Sequence, residues 1–161
     1  MLRDIRAKYS CIRNNIYRYE EKKIDISDDS TEGGEVVAYY DGTELKIIQM
    51  SWFGETGKRI LEFYIVNGEV FFAFDQHFNY NRPIYWNESL AKENEDDEVF
   101  NPEKTTVSED RYYFNKNRLF MWLNHDSKSV ALSAESSKPK ENELIEYFQK
   151  VKNNINKSAS D

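Results

Sequence analysis

ILEFYIVNGEVFFAF, residues 60–74, decides the fold. Two runs rich in β-branched and aromatic residues flank Asn67-Gly68. Asn-Gly between such runs signals a hairpin, because both central positions of a type I′ turn need positive φ. The arrangement recurs in EVVAYYDGTELKII, residues 35–48, around Asp41-Gly42, and more weakly in RYYFNKNRLFMW, residues 111–122, around Lys116-Asn117. The spacing is uneven, so these read as successive hairpins of an antiparallel meander and not as a strict repeat. Strand-forming sequence extends over residues 19–125.

Helical periodicity brackets this region. Leu2, Ile5, Tyr9, Ile12 and Ile16 fall on one face of a helix expected over 2–17. Leu144, Ile145, Phe148, Val151 and Ile155 form the apolar stripe of a second helix over 140–156, with Pro139 near its start and 158–161 as a frayed tail. The expected architecture is a single α+β domain over 1–157, an antiparallel meander sheet with an N-terminal and a C-terminal helix packed on it. Between the second and third hairpins, NESLAKENEDDEVFNPEK (87–104) is too polar for a central strand and reads as an acidic, mobile surface loop.

At 161 residues the chain is long enough to bury its own core. An aromatic share of 15% suits rings packed on a pleated surface. The formal charge of −7 argues against nucleic acid as a partner, which would select a positive field. No apolar run of membrane-spanning length occurs. The opening MLRDIRAKYS carries charge from its third residue and has no apolar leader segment, although Met1 could follow a removed leader. Cys11 stands alone beside the N-terminal stripe and is expected to be a semi-buried structural thiol.

SWFGETGKR, residues 51–59, resembles a phosphate loop but fails the count. The first glycine of such a loop would fall at Trp52, and Arg59 stands where a hydroxyl residue should hold magnesium. Both flanks are strand-like, so Gly54, Glu55, Gly57 and Lys58 read as a structural turn, with the glycines supplying positive φ. Whether Glu55 pairs with Lys58 or faces a partner is left open by the sequence. The run Glu93, Glu95, Asp96, Asp97 and Glu98 lacks the alternation and central glycine of a calcium loop. His77 and His125 end strands, and neither has zinc-like spacing to further ligands. His77 with Ser51, Ser89 or Ser108 is a conceivable catalytic pair, without a nucleophile-elbow motif. No cofactor or metal is therefore expected.

The aromatic stretch HFNYNRPIYW, residues 77–86, supports two readings. It is a strand end that buries its rings, closed by Pro83, or a recognition surface. In the second case Tyr80, Asn81, Arg82, Tyr85 and Trp86 offer ring faces and donors to a sugar, peptide or planar ligand.

The series Ser30-Thr31-Glu32-Gly33-Gly34-Glu35, Ala38-Tyr39-Tyr40-Asp41-Gly42, Phe53-Gly54-Glu55-Thr56-Gly57-Lys58, Asn67-Gly68 and Tyr80-Asn81-Arg82-Pro83-Ile84-Tyr85 resembles a group of small bacterial proteins of unknown function, many of them exported. The resemblance covers roughly residues 2–125. It implies a periplasmic or cell-surface location and supplies no catalytic residue. The expected function is a non-enzymatic binding domain for a protein, glycan or small molecule. The alternatives are a cell-envelope hydrolase using a His/carboxylate site and an inhibitor or assembly partner acting through a sheet edge.

Overall fold

The computed structural model describes residues 1–25, 34–133 and 135–160. Among them, seven strands form one antiparallel sheet in strict chain order: β1 (Glu20–Asp25), β2 (Gly34–Asp41), β3 (Glu44–Phe53), β4 (Gly57–Val66), β5 (Glu69–Asn79), β6 (Thr106–Asn115) and β7 (Arg118–Leu123). Helix α1 (Leu2–Asn14) packs on one face of the sheet and α3 (Ser137–Ser160) on the other. A short helix α2 (Glu88–Glu93) lies between β5 and β6. The α+β meander expected from the sequence is the observed fold.

Two-sided cover explains the continuous apolar run in β4. Leu61, Phe63 and Ile65 point toward Leu144, Phe148, Val151 and Ile155 of α3. Tyr64 points the other way, toward Ile5, Tyr9 and Ile12 of α1. A strand buried on both faces loses the usual apolar-polar alternation. Glu62 is the exception, buried on the α1 side, where Arg13 and Gln49 each approach its Oε2 at 3.4 Å. Burial raises its pKa, and Arg13 opposes that rise.

Both helices differ in extent from the expectation. α1 stops at Asn14, and Ile16–Arg18 form a separate 3-10 turn that keeps Ile16 against the same cluster. Asn15 Nδ2 donates to the Cys11 carbonyl at 2.7 Å. Cys11 is exposed, not semi-buried, since it lies beside the buried stripe and not on it. α3 starts earlier, at Ser137, and continues to Ser160, through residues expected to fray. Its Glu141 accepts the amide of Leu119 in the edge strand β7 at 2.8 Å and pairs with Lys138 at 2.6 Å. Burial opposes charge on Glu141, yet these contacts hold its pKa below the ordinary value.

The hairpins follow the sequence at two of three places. Asn67 and Gly68 both have positive φ (53° and 78°), as do Lys116 and Asn117 (50° and 62°), which is the type I′ pattern. At the first hairpin the loop is displaced by one residue. Asp41 pairs with Glu44, so Gly42-Thr43 makes the turn and positive φ falls on Gly42. The register slips between Tyr39 and Tyr40, as it does between Tyr64 and Ile65 and between Tyr113 and Phe114 in the other two hairpins.

Lys116-Asn117 holds two side chains in the left-handed region, and Asn117 Oδ1 is buried without a hydrogen-bond partner. Asn117→Gly removes the unpartnered amide and one of the two left-handed side chains, and should stabilise the protein by about 1 kcal/mol, read as a higher denaturant midpoint with unchanged slope.

Candidate functional site

Two stretches singled out in the sequence meet at one end of the sheet. β3 and β4 are joined by residues 54–56, and the Gly54 amide donates to the Gly57 carbonyl at 2.9 Å. Neither Gly54 nor Gly57 has positive φ, contrary to the expectation. The need at Gly57 is steric: it faces Asn79 across the β4–β5 ladder, and a Cβ there would run into the Phe78 carbonyl. After β5 the chain folds back onto this loop. Tyr80 and Ile84 amides donate to the Thr56 and Glu55 carbonyls, each at 2.9 Å. Glu55 and Lys58 have separate partners: Tyr85 Oη donates to Glu55 Oε2 at 3.3 Å, and the Lys58 ammonium lies 4.7 Å from the Phe78 ring centre.

The segment expected to be a mobile acidic loop is organised around Asp96. Arg82 grips this carboxylate with two donors, Nε at 2.6 Å and Nη2 at 2.9 Å. Trp86 Nε1 (3.0 Å) and the Glu98 amide (3.1 Å) complete its shell. These donors hold the Asp96 pKa far below the usual carboxylate range, with Arg82 the largest cause. Asn81 ties down the far side of the segment, donating to Glu98 Oε2 and the Val99 carbonyl and accepting from the Asn101 amide. Asn87 caps α2 by accepting from the Leu90 amide at 3.0 Å. Phe100 packs edge-on against Tyr80.

This geometry sorts the five residues expected to bind a ligand. Asn81 and Arg82 are engaged within the chain, Trp86 donates inward, and Tyr80 packs on Phe100. Tyr85 projects outward beside Ile84. Large exposed hydrophobic side chains gather here: Phe53 (44% exposed), Ile84 (50%), Tyr85 (52%), Val99 (38%) and Val107 (45%) are five of the eight among the described residues. Phe53, Lys58, Phe78 and Val107 stand in register across β3 to β6.

The α3 face carries a second polar cluster that the sequence reading missed. Arg59 holds the buried Asp75 through both oxygens, at 2.9 and 2.8 Å, and stacks 5.0 Å from the Trp52 ring centre. Burial works against the Arg59 charge, but Asp75 more than compensates and raises its pKa. The half-exposed His77 places Nε2 3.3 Å from Asp75 Oδ1. Ser108 faces His77 across β5–β6, and Asp110 faces Asp75. Asp110 accepts from Tyr112 Oη and Trp122 Nε1, each at 3.2 Å. Burial, followed by the Asp110 and Asp75 charges, pushes the Tyr112 phenol well above its usual range. The available signal was a charged residue directly after the apolar run VFFAF, residues 70–74. Of the other candidate partners of His77, Ser51 points to the opposite sheet face and Ser89 lies in α2. His125 is exposed in the turn after β7, 3.6 Å from Asp126.

Comparison with protein-family models, curated proteins and solved structures returns no match. No helix among the described residues is long and apolar enough to cross a membrane. Ser30, Thr31, Glu32 and Gly33 of the sequence pattern lie outside the described residues.

Two outcomes follow from the site geometry. Gly57→Ala should destabilise by about 1–3 kcal/mol through the forced clash, measured by equilibrium denaturation. Asp96→Asn should lower the melting temperature at pH 7. A depressed carboxylate pKa stabilises above the unfolded value of about 3.9 and loses that effect as pH falls toward the folded value. The gap between wild type and Asp96→Asn should therefore narrow on acidification below about pH 4.

Proposed function

We propose that this chain is a bacterial binding domain, working outside the cytoplasm without catalysis of its own, that docks a protein partner through the braced end of its sheet. The supporting observation is the concentration of exposed apolar side chains there, with Ile84, Tyr85 and Val99 on the segment braced by the Asp96 network. Aromatic and aliphatic anchors on a pre-ordered surface bind with little loss of conformational freedom. The role of the five sequence candidates changes in this reading. Asn81, Arg82 and Trp86 shape the surface, and Tyr85, with Ile84, makes the contact. The extracytoplasmic location rests on the sequence resemblance.

A hydrolase reading has one observation in its favour, the proximity of His77 to Asp75 and Ser108. The Arg59 clamp weighs against it, since it occupies both oxygens of the carboxylate that would orient the histidine. An edge-pairing role is less supported. β7 is already bridged by Ser129, with the Val130 amide bonded to the Trp122 carbonyl, and β1 reads EEKKID, a charged edge that discourages pairing.

The test compares wild type with the double variant Ile84→Ser/Tyr85→Ser in capture and cross-linking from envelope extract. A specific partner should be retained by wild type and lost by the variant, with the melting temperature unchanged. Equal capture by both proteins would overturn the assignment of the surface.

A further inference from the structure

On the α1 face, a cavity of about 260 Å³ opens between the helix and strands β5 and β6. Its floor is aromatic: the Phe72 ring lies 5.1 Å from Tyr113 and 6.4 Å from Phe74, nearly parallel to the latter. Ile5 and Tyr9 of α1 form the wall, with Tyr9 edge-on to Phe72 at 5.4 Å. Two arginines complete the lining, Arg6 from the helix and Arg111 from β6. Arg111 lies over the Phe74 ring, 5.0 Å from its centre, and gives Nη2 to Glu109 Oε2 at 2.8 Å. Its remaining N–H donors leave capacity for a second acceptor. Arg6 forms no ion pair among those described, so of the two lining arginines only Arg111 is paired, with Glu109.

We propose that this cavity binds a small organic carboxylate with a flat apolar body, of about bicyclic aromatic size. The rings enclose the body, and Arg6 and Arg111 receive the carboxylate, a pairing favoured by fork geometry. The volume falls slightly below the range of about 300–1,000 Å³ for drug-sized ligands, which selects a compact occupant. The chain is acidic overall, at −7, so attraction of an anion must come from these two local charges. The cavity is separate from the partner-docking end and does not depend on that assignment.

The experiment titrates full-length protein with 2-naphthoate and with its neutral analogue 2-naphthylmethanol, by calorimetry at low salt, with amide shifts recorded for α1. Binding of 2-naphthoate at least tenfold tighter than the alcohol, with shifts at Ile5 and Tyr9, is expected. Arg6→Met and Arg111→Met should each reduce that preference, and the double variant should abolish it. Arg6 is exposed, so Arg6→Met keeps the test valid if the Arg111 variant fails to fold. Ile84→Ser/Tyr85→Ser should leave naphthoate binding unchanged. Equal affinity for the two probes, a preference that survives Arg6→Met, or no naphthoate binding at millimolar concentration would overturn the proposal.

Discussion

Residues 61–65 of β4 have no solvent side, and the rest of the architecture answers to that constraint. A strand in the middle of a seven-stranded sheet satisfies its backbone through β3 and β5, but its side chains need cover on both faces. α3 supplies one cover with Phe148 against Phe63, and α1 supplies the other with Tyr9 against Tyr64. Removing either helix would expose a face built almost entirely of large apolar groups. Glu62 shows how tightly this holds: the one carboxylate in the stretch is tolerated where a helix brings an arginine over it.

The unequal helices make the two faces chemically different. α3 runs 24 residues and α1 only 13, or about 36 and 20 Å at helical rise. The shorter helix leaves part of its face as an aromatic hollow edged by arginines. The longer one encloses a core whose polar remainder, Arg59 with Asp75 and Asp110 with Tyr112 and Trp122, is internally satisfied. Satisfied buried polar groups rigidify a fold, whereas a partly open hollow remains available to a ligand.

What the sequence made legible was local. Asn67-Gly68 revealed its hairpin because a left-handed pair is written into two adjacent residues, and the stripes of Ile5–Ile12 and Leu144–Ile155 revealed both helices by periodicity. Asp41-Gly42 misled by one position: Asp41 pairs with Glu44 as the last rung of the ladder, which leaves Gly42-Thr43 as the turn. Gly57 was recognised as structural for the wrong reason: its constraint comes from a carbonyl on a strand twenty-one residues further along. The candidate site was legible as a place more than as a chemistry. Tyr80 to Trp86 did lie beside the Gly54–Lys58 loop, but Asp96 as the partner of Arg82 and Trp86 could not be chosen from a run of equivalent acids. The pairing of Arg59 with Asp75, sixteen residues apart, was equally hidden.

The concentration of four donors on the Asp96 carboxylate has a consequence for how the surface fluctuates. Arg82, Trp86 and the Glu98 amide are held from one side, while Asn81 links Glu98, Val99 and Asn101 from the other. No one of these contacts can open far while the rest stay closed. The amides of Glu98, Phe100 and Asn101 should therefore exchange together, as one cooperative unit. Cooperative opening of this kind would release the face bearing Ile84 and Tyr85 as a whole.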